Sequence, residues 1–594
     1  MRSTVILRVK PRTSRFSTEW GVYLGATLVC CALTCWFLQL WRADLGIPFA
    51  YGIRDELMVA MSAKGLIENP WVYYNAYLGM PFGSVMFNVP QPDVFFYLIL
   101  KLLGLTTSRF GLVMNLFYLL TYPATLLCTL YVFRQFKLGY PAALLGSFLY
   151  TFLPCHFMRG ESHLFLAGYY FIPLVAMLMF QVASATPPLL KEGDGKWPRL
   201  AWPGRSTIGT IIICLITGSS GVYYAFFASV LMLLAGSAAA AAQRRLAPVI
   251  SSILLTGLIG ATVLLCISPH LLNGHGNVIA RVSGDAETYA LKISQLLLPL
   301  SGHRWERLAL FKNSYYFNAP LVNENDAATL GFIGSLGFLL LLGWVAVRMM
   351  GASFPWLARD DQRVLSLAAI LTLGATLLGT IGGFGSLFAV LISSQIRSYN
   401  RISVFIAFFA FLAVALVIDR GVGARLAGRT AKLFYSLGLG LIAALGLYDQ
   451  TSTSFVPSYD KIGSIFRSDA AFVRKIEKKM PPGAMIFQLP YLTFPEASEY
   501  DLSRGYLHSR HLRWSYGAMI NERSDLWQRE VKALPLPEMV RTLVGAGFSG
   551  IYLDRRIIPN SAAVEEELRA LVGEPPLVSE ESGLSFFTLP AGPG

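Results

Sequence analysis

From Gly21 to Tyr448 long apolar runs follow one another, separated by short polar or charged segments. From Asp449 to the end the pattern breaks into short mixed stretches. A helix that crosses a bilayer needs roughly 20 apolar residues. Runs of that kind predict spans at 21–41, 110–133, 139–158, 166–184, 205–220, 221–242, 248–269, 328–347, 364–384, 401–418 and 433–448, about eleven in all. The stretch Val94–Leu105 is too short to span and carries Lys101, the pattern of an interfacial or re-entrant helix. Counting it as a span gives the rival total of about twelve.

The basic residues choose between the two. With Val94–Leu105 lying flat, one face collects Arg134 and Lys137, then Lys191, Lys196, Arg199 and Arg205. The same face receives Arg244 and Arg245, then Arg348, Arg359 and Arg363, and finally Arg420, Arg425, Arg429 and Lys432. Loops rich in Lys and Arg stay in the cytoplasm. The expected topology is therefore a multi-pass membrane protein with a cytoplasmic N-terminus, which in a bacterium places it in the inner membrane. Segments 42–109, 159–165, 270–327 and 386–400, and everything after 448, fall on the periplasmic or external face. The first run is basic on its N-terminal side and could pass for a signal peptide. It is long enough to span, no small-residue cleavage site follows it, and it reads as an uncleaved helix.

Residues 449–594 alternate helix and strand patterns: a helix at Ala470–Lys479, a strand at Ala484–Leu489, then helices at Pro537–Ala546 and Ala562–Val572 and strands at Gly550–Leu553 and Leu584–Leu589. That alternation predicts a soluble α/β domain, one small sheet covered by helices, joined to the helical body of 1–448.

Composition agrees. Of 594 residues, 54% are hydrophobic and only 14% charged, where a soluble domain carries about a quarter charged. The net charge of +14 does not imply nucleic acid, because the Lys and Arg residues sit in short loops between apolar runs. The seven Cys all precede residue 267 and none forms a CxxC pair, so a zinc or redox centre is not expected.

Candidate chemistry concentrates outside the membrane. Arg54–Asp55–Glu56 stands among Phe49, Tyr51, Ile53, Leu57 and Met58. A carboxylate in a partly dry cavity suits a general base, and an adjacent Arg keeps it ionised. Interfacial polar residues would look the same from sequence alone. Arg159, His163, Arg281, Arg304, Arg397 and Arg401 also fall in the outer segments or at their edges. The planar guanidinium suits phosphate. Lipid-headgroup contact is the plainer reading of any single Arg, but Arg397 and Arg401 belong to a polar knot between two apolar runs. Walker A, HExxH and GxSxG patterns are absent.

These features together resemble the GT-C superfamily of membrane glycosyltransferases: an acidic first external loop at Asp55–Glu56, an interfacial helix around Pro92–Leu105, and a C-terminal domain on the far side. Tyr51–Gly52–Ile53–Arg54–Asp55–Glu56, Leu78–Gly79–Met80–Pro81–Phe82–Gly83, Ile396–Arg397–Ser398–Tyr399–Asn400–Arg401 and Leu512–Arg513–Trp514–Ser515–Tyr516–Gly517–Ala518–Met519 resemble a bacterial branch of that group. The resemblance implies a polyprenyl-phosphate sugar donor, a glycan, lipid or protein acceptor, and Asp55 as base with Glu56 as substitute or helper. It implies Arg397 and Arg401, then Arg159 and Arg281, as donor-phosphate ligands. Arg54, His163, Tyr399, Asn400, Arg513 and Trp514 become supporting or acceptor residues. Arg54 departs from many members of the family, which have Gly or an apolar residue there, and this leaves Asp55 and Glu56 both open as the base. No protein metal ligands are identified, and a divalent metal is left open.

The expected function is inverting sugar transfer at the cell envelope. The alternatives are a lipid-linked glycan flippase or other transporter without transferase activity, and a structural membrane protein that binds cell-wall polymer.

Overall fold

Among the described residues, nine helices are long and apolar enough to cross a membrane: Glu19–Leu38, Phe110–Gln135, Tyr140–Arg159, Val222–Gln243, Ala247–Asn273, Gly331–Met349, Arg359–Gly379, Tyr399–Arg425 and Arg429–Gln450. The structure is a computed structural model that describes residues 16–52, 55–191, 198–201, 204–275, 281–352, 354–495 and 499–590. The other two predicted spans fall on shorter apolar helices, Ile172–Val182 and Arg205–Ser219. The first is shortened for a visible reason. The run from residue 166 breaks at Gly168, and Pro173 in the first turn restarts the helix, a position where the missing N–H costs nothing. Val94–Gly104 is an 11-residue apolar helix, shorter than a span, and packs against Asp55–Glu68 and Phe110–Gln135.

The helix Ser403–Gly421 lies at the centre of the bundle, packed against Tyr140–Thr151, Gly331–Met349 and Arg359–Gly379. Close approach there depends on a small residue. A Cβ at Gly337 would stand 2.4 Å from the Ala410 carbonyl oxygen, so only glycine lets these two backbones meet. The first helix and Arg429–Gln450 are the least enclosed, with 22% and 17% of their apolar windows buried. Their exposed Leu, Val and Trp side chains match a lipid surrounding.

After residue 450 the chain forms a five-stranded sheet in the order Arg513–Trp514, Met485–Leu489, Phe548–Asp554, Leu584–Thr588, Leu577–Ser579. The first three strands are parallel and the last two join antiparallel. Side chains alternate between faces, as the pleat requires. Phe487, Ile551, Leu553 and Phe587 form one apolar layer under the helices Leu536–Gly545 and Ser561–Val572. Ile486, Trp514, Tyr552 and Phe586 join the core that continues into the helical body.

The loop 42–109 is stitched to this sheet through its backbone. Trp514 N–H donates to the Tyr77 carbonyl at 2.8 Å, Met80 N–H to the Trp514 carbonyl at 3.1 Å, and Gly79 N–H to the Tyr516 carbonyl at 2.9 Å. These bonds cover the Arg513–Trp514 edge, which otherwise presents unpaired backbone groups. Ser84 adds a bond from its hydroxyl to the Gly517 carbonyl, 2.6 Å.

Candidate functional site

Asp55 opens the helix Asp55–Glu68, where the unpaired N–H groups of the first turn favour a carboxylate. Its side chain is half exposed, and Oδ2 lies 3.4 Å from His163 Nε2. Glu56 is placed differently. One of its oxygens accepts from Ser162 Oγ at 2.9 Å and the other from the Gly52 N–H. Glu56 thus ties the loop together, while Asp55 keeps a face open. Arg54 lies outside the described residues.

His163 joins Asp55 to the basic cluster. Burial lowers its pKa to about 4, Arg159 and Arg401 push in the same direction, and Asp55 and Glu324 pull it back. Arg159 is buried and bound on several sides: to Glu324 Oε2 at 2.7 Å, to the Glu324 carbonyl at 3.2 Å and to Asn400 Oδ1 at 2.9 Å. Asn400 Nδ2 donates to the other Glu324 oxygen at 3.0 Å and to the Tyr289 carbonyl at 2.8 Å. Arg401 reaches the same Glu324 carboxylate at 3.6 Å and stacks over the Tyr223 ring at 4.3 Å. Burial works against charge on Glu324, yet Arg159 and Arg401, with the Asn400 bond, hold its carboxyl well below the usual range.

Arg281 and Arg397 complete the ring. Arg281 donates to Tyr223 Oη at 3.3 Å and to the Gln395 carbonyl. Arg397 stacks over Tyr289 at 5.0 Å and lies 3.9 Å from Asp285. The Nε groups of Arg281, Arg397 and Arg401 are buried and have no hydrogen-bond partner among the described residues. A buried donor left unpaired costs about 1–3 kcal/mol, and these three belong to guanidiniums that contact Tyr223 or Tyr289. Arg159 contrasts with them, because Glu324 and Asn400 engage it.

Sequence reasoning missed four contributors. Glu324 lies 165 residues from Arg159, in a stretch with no recognisable motif. Tyr223 and Tyr289 look like ordinary aromatic residues at segment ends. Asp93, which precedes the short helix Val94–Gly104, would lie 3.1 Å from a Cβ on Gly221. The surrounding protein raises its pKa to about 7, against the pull of Arg401. Glu161 is likewise raised by burial to about 8, although the Ala50 N–H donates to it at 3.1 Å.

Two expected positions turn out to serve packing. Trp514 is fully buried, with its ring edge-on to Tyr552 at 5.5 Å and against Gly505. No part of its ring is exposed, whereas Arg513 on the same strand is exposed. Tyr399 is buried against Phe226 and Phe227. Among the described residues no three His, Cys, Asp or Glu side chains come together as metal ligands.

The loop bearing Asp55 is gripped from the C-terminal side. Tyr51 Oη bonds Asp469 at 3.1 Å and His508 Nε2 at 2.8 Å. Arg504, paired with Asp469 at 2.9 Å, donates to the Gly52 carbonyl. Lys64, on the Asp55 helix, donates to the Tyr506 carbonyl at 2.6 Å and to the Ser509 carbonyl at 2.5 Å.

No protein-family model matches the chain, and no curated protein matches it. Solved structures do. ArnT from Cupriavidus metallidurans in the apo state aligns with a TM-score of 0.50 at 12% identity, over 97% of this chain and 100% of that one. The Archaeoglobus fulgidus oligosaccharyltransferase in the apo form aligns at 0.46 and 11% identity, over 92% of this chain and 70% of the other. The mycobacterial arabinofuranosyltransferase AftD aligns at 0.45 and 11% identity, over 98% of this chain and 42% of the other. The likeness to ArnT is one of fold, the GT-C fold, and the chain is a multi-pass membrane protein.

Proposed function

We propose, for a chain with the GT-C fold, that it is a membrane glycosyltransferase that moves a sugar from a polyprenyl-phosphate donor to a cell-envelope acceptor on the external face. The observation that carries this reading is the juxtaposition of Asp55, through His163, with a cluster of arginines holding unpaired N–H groups. Sugar transfer with inversion needs two things: a base for the acceptor hydroxyl and cations for the departing phosphate.

Asp55 is the base in this proposal, and Glu56 holds the loop. The acceptor oxygen forms its bond to the anomeric carbon as the bond to the lipid phosphate breaks. The hydroxyl proton passes to the Asp55 carboxylate, and the leaving phosphate keeps the electron pair. Arg281, Arg397 and Arg401 stabilise that phosphate, while Arg159 positions Arg401 and Asn400 through Glu324. Residues 449–594 form the external domain of the proposal and hold the Asp55 loop in place. The acceptor is a glycan, lipid or protein.

The test is the purified protein with a panel of radiolabelled prenyl-phosphate sugars. Loss of label from the lipid to an acceptor supports transfer. Movement of intact labelled lipid across a vesicle membrane, with no loss of sugar, replaces the proposal with a flippase.

A further inference from the structure

Away from the arginine cluster, the first helix, Tyr140–Thr151 and Arg429–Gln450 enclose a cavity of about 690 Å³. Its walls are apolar: Val29, Leu33 and Phe37 on one side, Leu144 and Phe148 behind, Leu447 opposite. The lining of the last span runs from Ser436 to Thr451, about 22 Å of helical rise. Both leaflets together are about 30 Å thick, so an acyl chain fits along the groove for the full depth of one leaflet. Two of the three walls belong to the least enclosed helices of the bundle, so the groove opens toward lipid.

Its polar end is specific. Arg304 closes it beside Thr451 and Tyr448. The guanidinium is fixed by two bonds to Thr451, from Nε to the carbonyl at 3.1 Å and from Nη2 to the hydroxyl at 3.4 Å, and lies over the Tyr448 ring at 5.5 Å. Among the described residues no carboxylate pairs with Arg304. The adjacent acid, Asp449, is taken by His303 at 3.2 Å and by the Phe332 N–H at 2.6 Å. Trp36 and Trp41, with ring centroids 5.7 Å apart and tilted by 54°, are both exposed and stand at the same end of the first helix, as aromatic residues do at the headgroup level.

We infer that this groove is a binding site for an anionic phospholipid, with one acyl chain along the apolar walls and the phosphate on Arg304. The charge is complementary and pre-oriented: a cation held by the carbonyl and hydroxyl of Thr451, without a paired acid among the described residues, at the mouth of a hydrocarbon-lined slot. The site is separate from the Asp55 cluster and independent of the transferase reading.

The experiment measures retained lipid and does not read transfer. The full-length protein is reconstituted in equal parts of phosphatidylglycerol and phosphatidylcholine, extracted, and analysed by native mass spectrometry. Phosphatidylglycerol should be retained over phosphatidylcholine by about fivefold, the preference one Arg gives near an anionic lipid. Arg304→Gln should remove the preference and Arg304→Lys should keep most of it. Ala444→Trp, at an exposed position on the groove wall, should lower retention of both lipids. Equal retention of the two lipids by the unaltered protein means an ordinary lipid shell and overturns the inference. So does retention that neither Arg304→Gln nor Ala444→Trp changes, or replacement of the bound phospholipid by added polyprenyl phosphate.

Discussion

Arg504 donates to the backbone carbonyl of Gly52 across 452 residues of sequence, and the same guanidinium is paired with the buried Asp469. One cation therefore sets the position of the loop that leads into Asp55 without touching the open face of the proposed base. A base displaced by about 1 Å loses on the order of 10² in rate. Arg504→Lys should lower kcat by about 10-fold or more and leave donor Kd nearly unchanged. Unchanged kcat would remove Arg504 from any positioning role.

Asp55→Asn keeps the size of the side chain and removes its charge. Transfer should fall about 10²-fold or more, with membrane insertion intact. Glu56→Gln should cost less, because an amide oxygen still accepts from Ser162 and Gly52. The comparison is a rate measurement on both variants. A larger loss for Glu56→Gln would move the base to Glu56.

The unpaired N–H groups of Arg397 and Arg401 give a prediction for the donor. Lys keeps the charge but not the planar fork. Arg397→Lys and Arg401→Lys should therefore weaken donor binding by about 10-fold each, one hydrogen bond to a charged group being worth about 1.5–3 kcal/mol. Acceptor KM should change little. Full donor affinity in both Lys variants would reduce the pair to structural or headgroup contacts.

Glu161 makes stability depend on pH. Its folded pKa is raised from 4.5 to about 8 by burial. The folded protein therefore holds a proton there that the unfolded chain has released, and the stability this gives is lost as pH rises from about 4.5 to about 8. Glu161→Gln removes that dependence while its amide oxygen still accepts from Ala50. Relative to the unaltered protein, the variant should gain stability from pH 5 to pH 8, by at most about 1.4 kcal/mol per pH unit. Thermal melts of both proteins across that range check the sign. A constant difference between them would mean that Glu161 is already ionised.

Removing residues 450–594 should abolish transfer. The loop 42–109 loses its bonds to Trp514, Tyr516, Gly517 and Arg504, and protease sensitivity within 42–90 should rise sharply while the spans still insert. Retained transfer in the truncated protein would remove the C-terminal residues from the site.

The sequence made the helical body and the strands visible because both rest on local periodicity: long apolar runs for the helices, short apolar stretches between turn residues for Met485–Leu489, Phe548–Asp554 and Leu584–Thr588. Asp55 stood out as a carboxylate among apolar residues near a span, and Arg397 to Arg401 as a polar knot between two spans. Glu324 and Asp93 did not, since their partners Arg159 and Arg401 come from distant segments and no local spacing links them. Trp514 misled for a similar reason. On a strand of two residues, alternation is too short to distinguish the inward side chain from the outward one.

The bonds between the loop 42–109 and the last sheet carry a consequence for biogenesis. Ser84 and Gly517, which they join, are 433 residues apart, and nearly all the spans are synthesised between them. The Asp55 loop is synthesised early but gains these bonds only after the final strands have been made. In the proposed function, a chain that stops before the last sheet lacks these bonds and should be inactive.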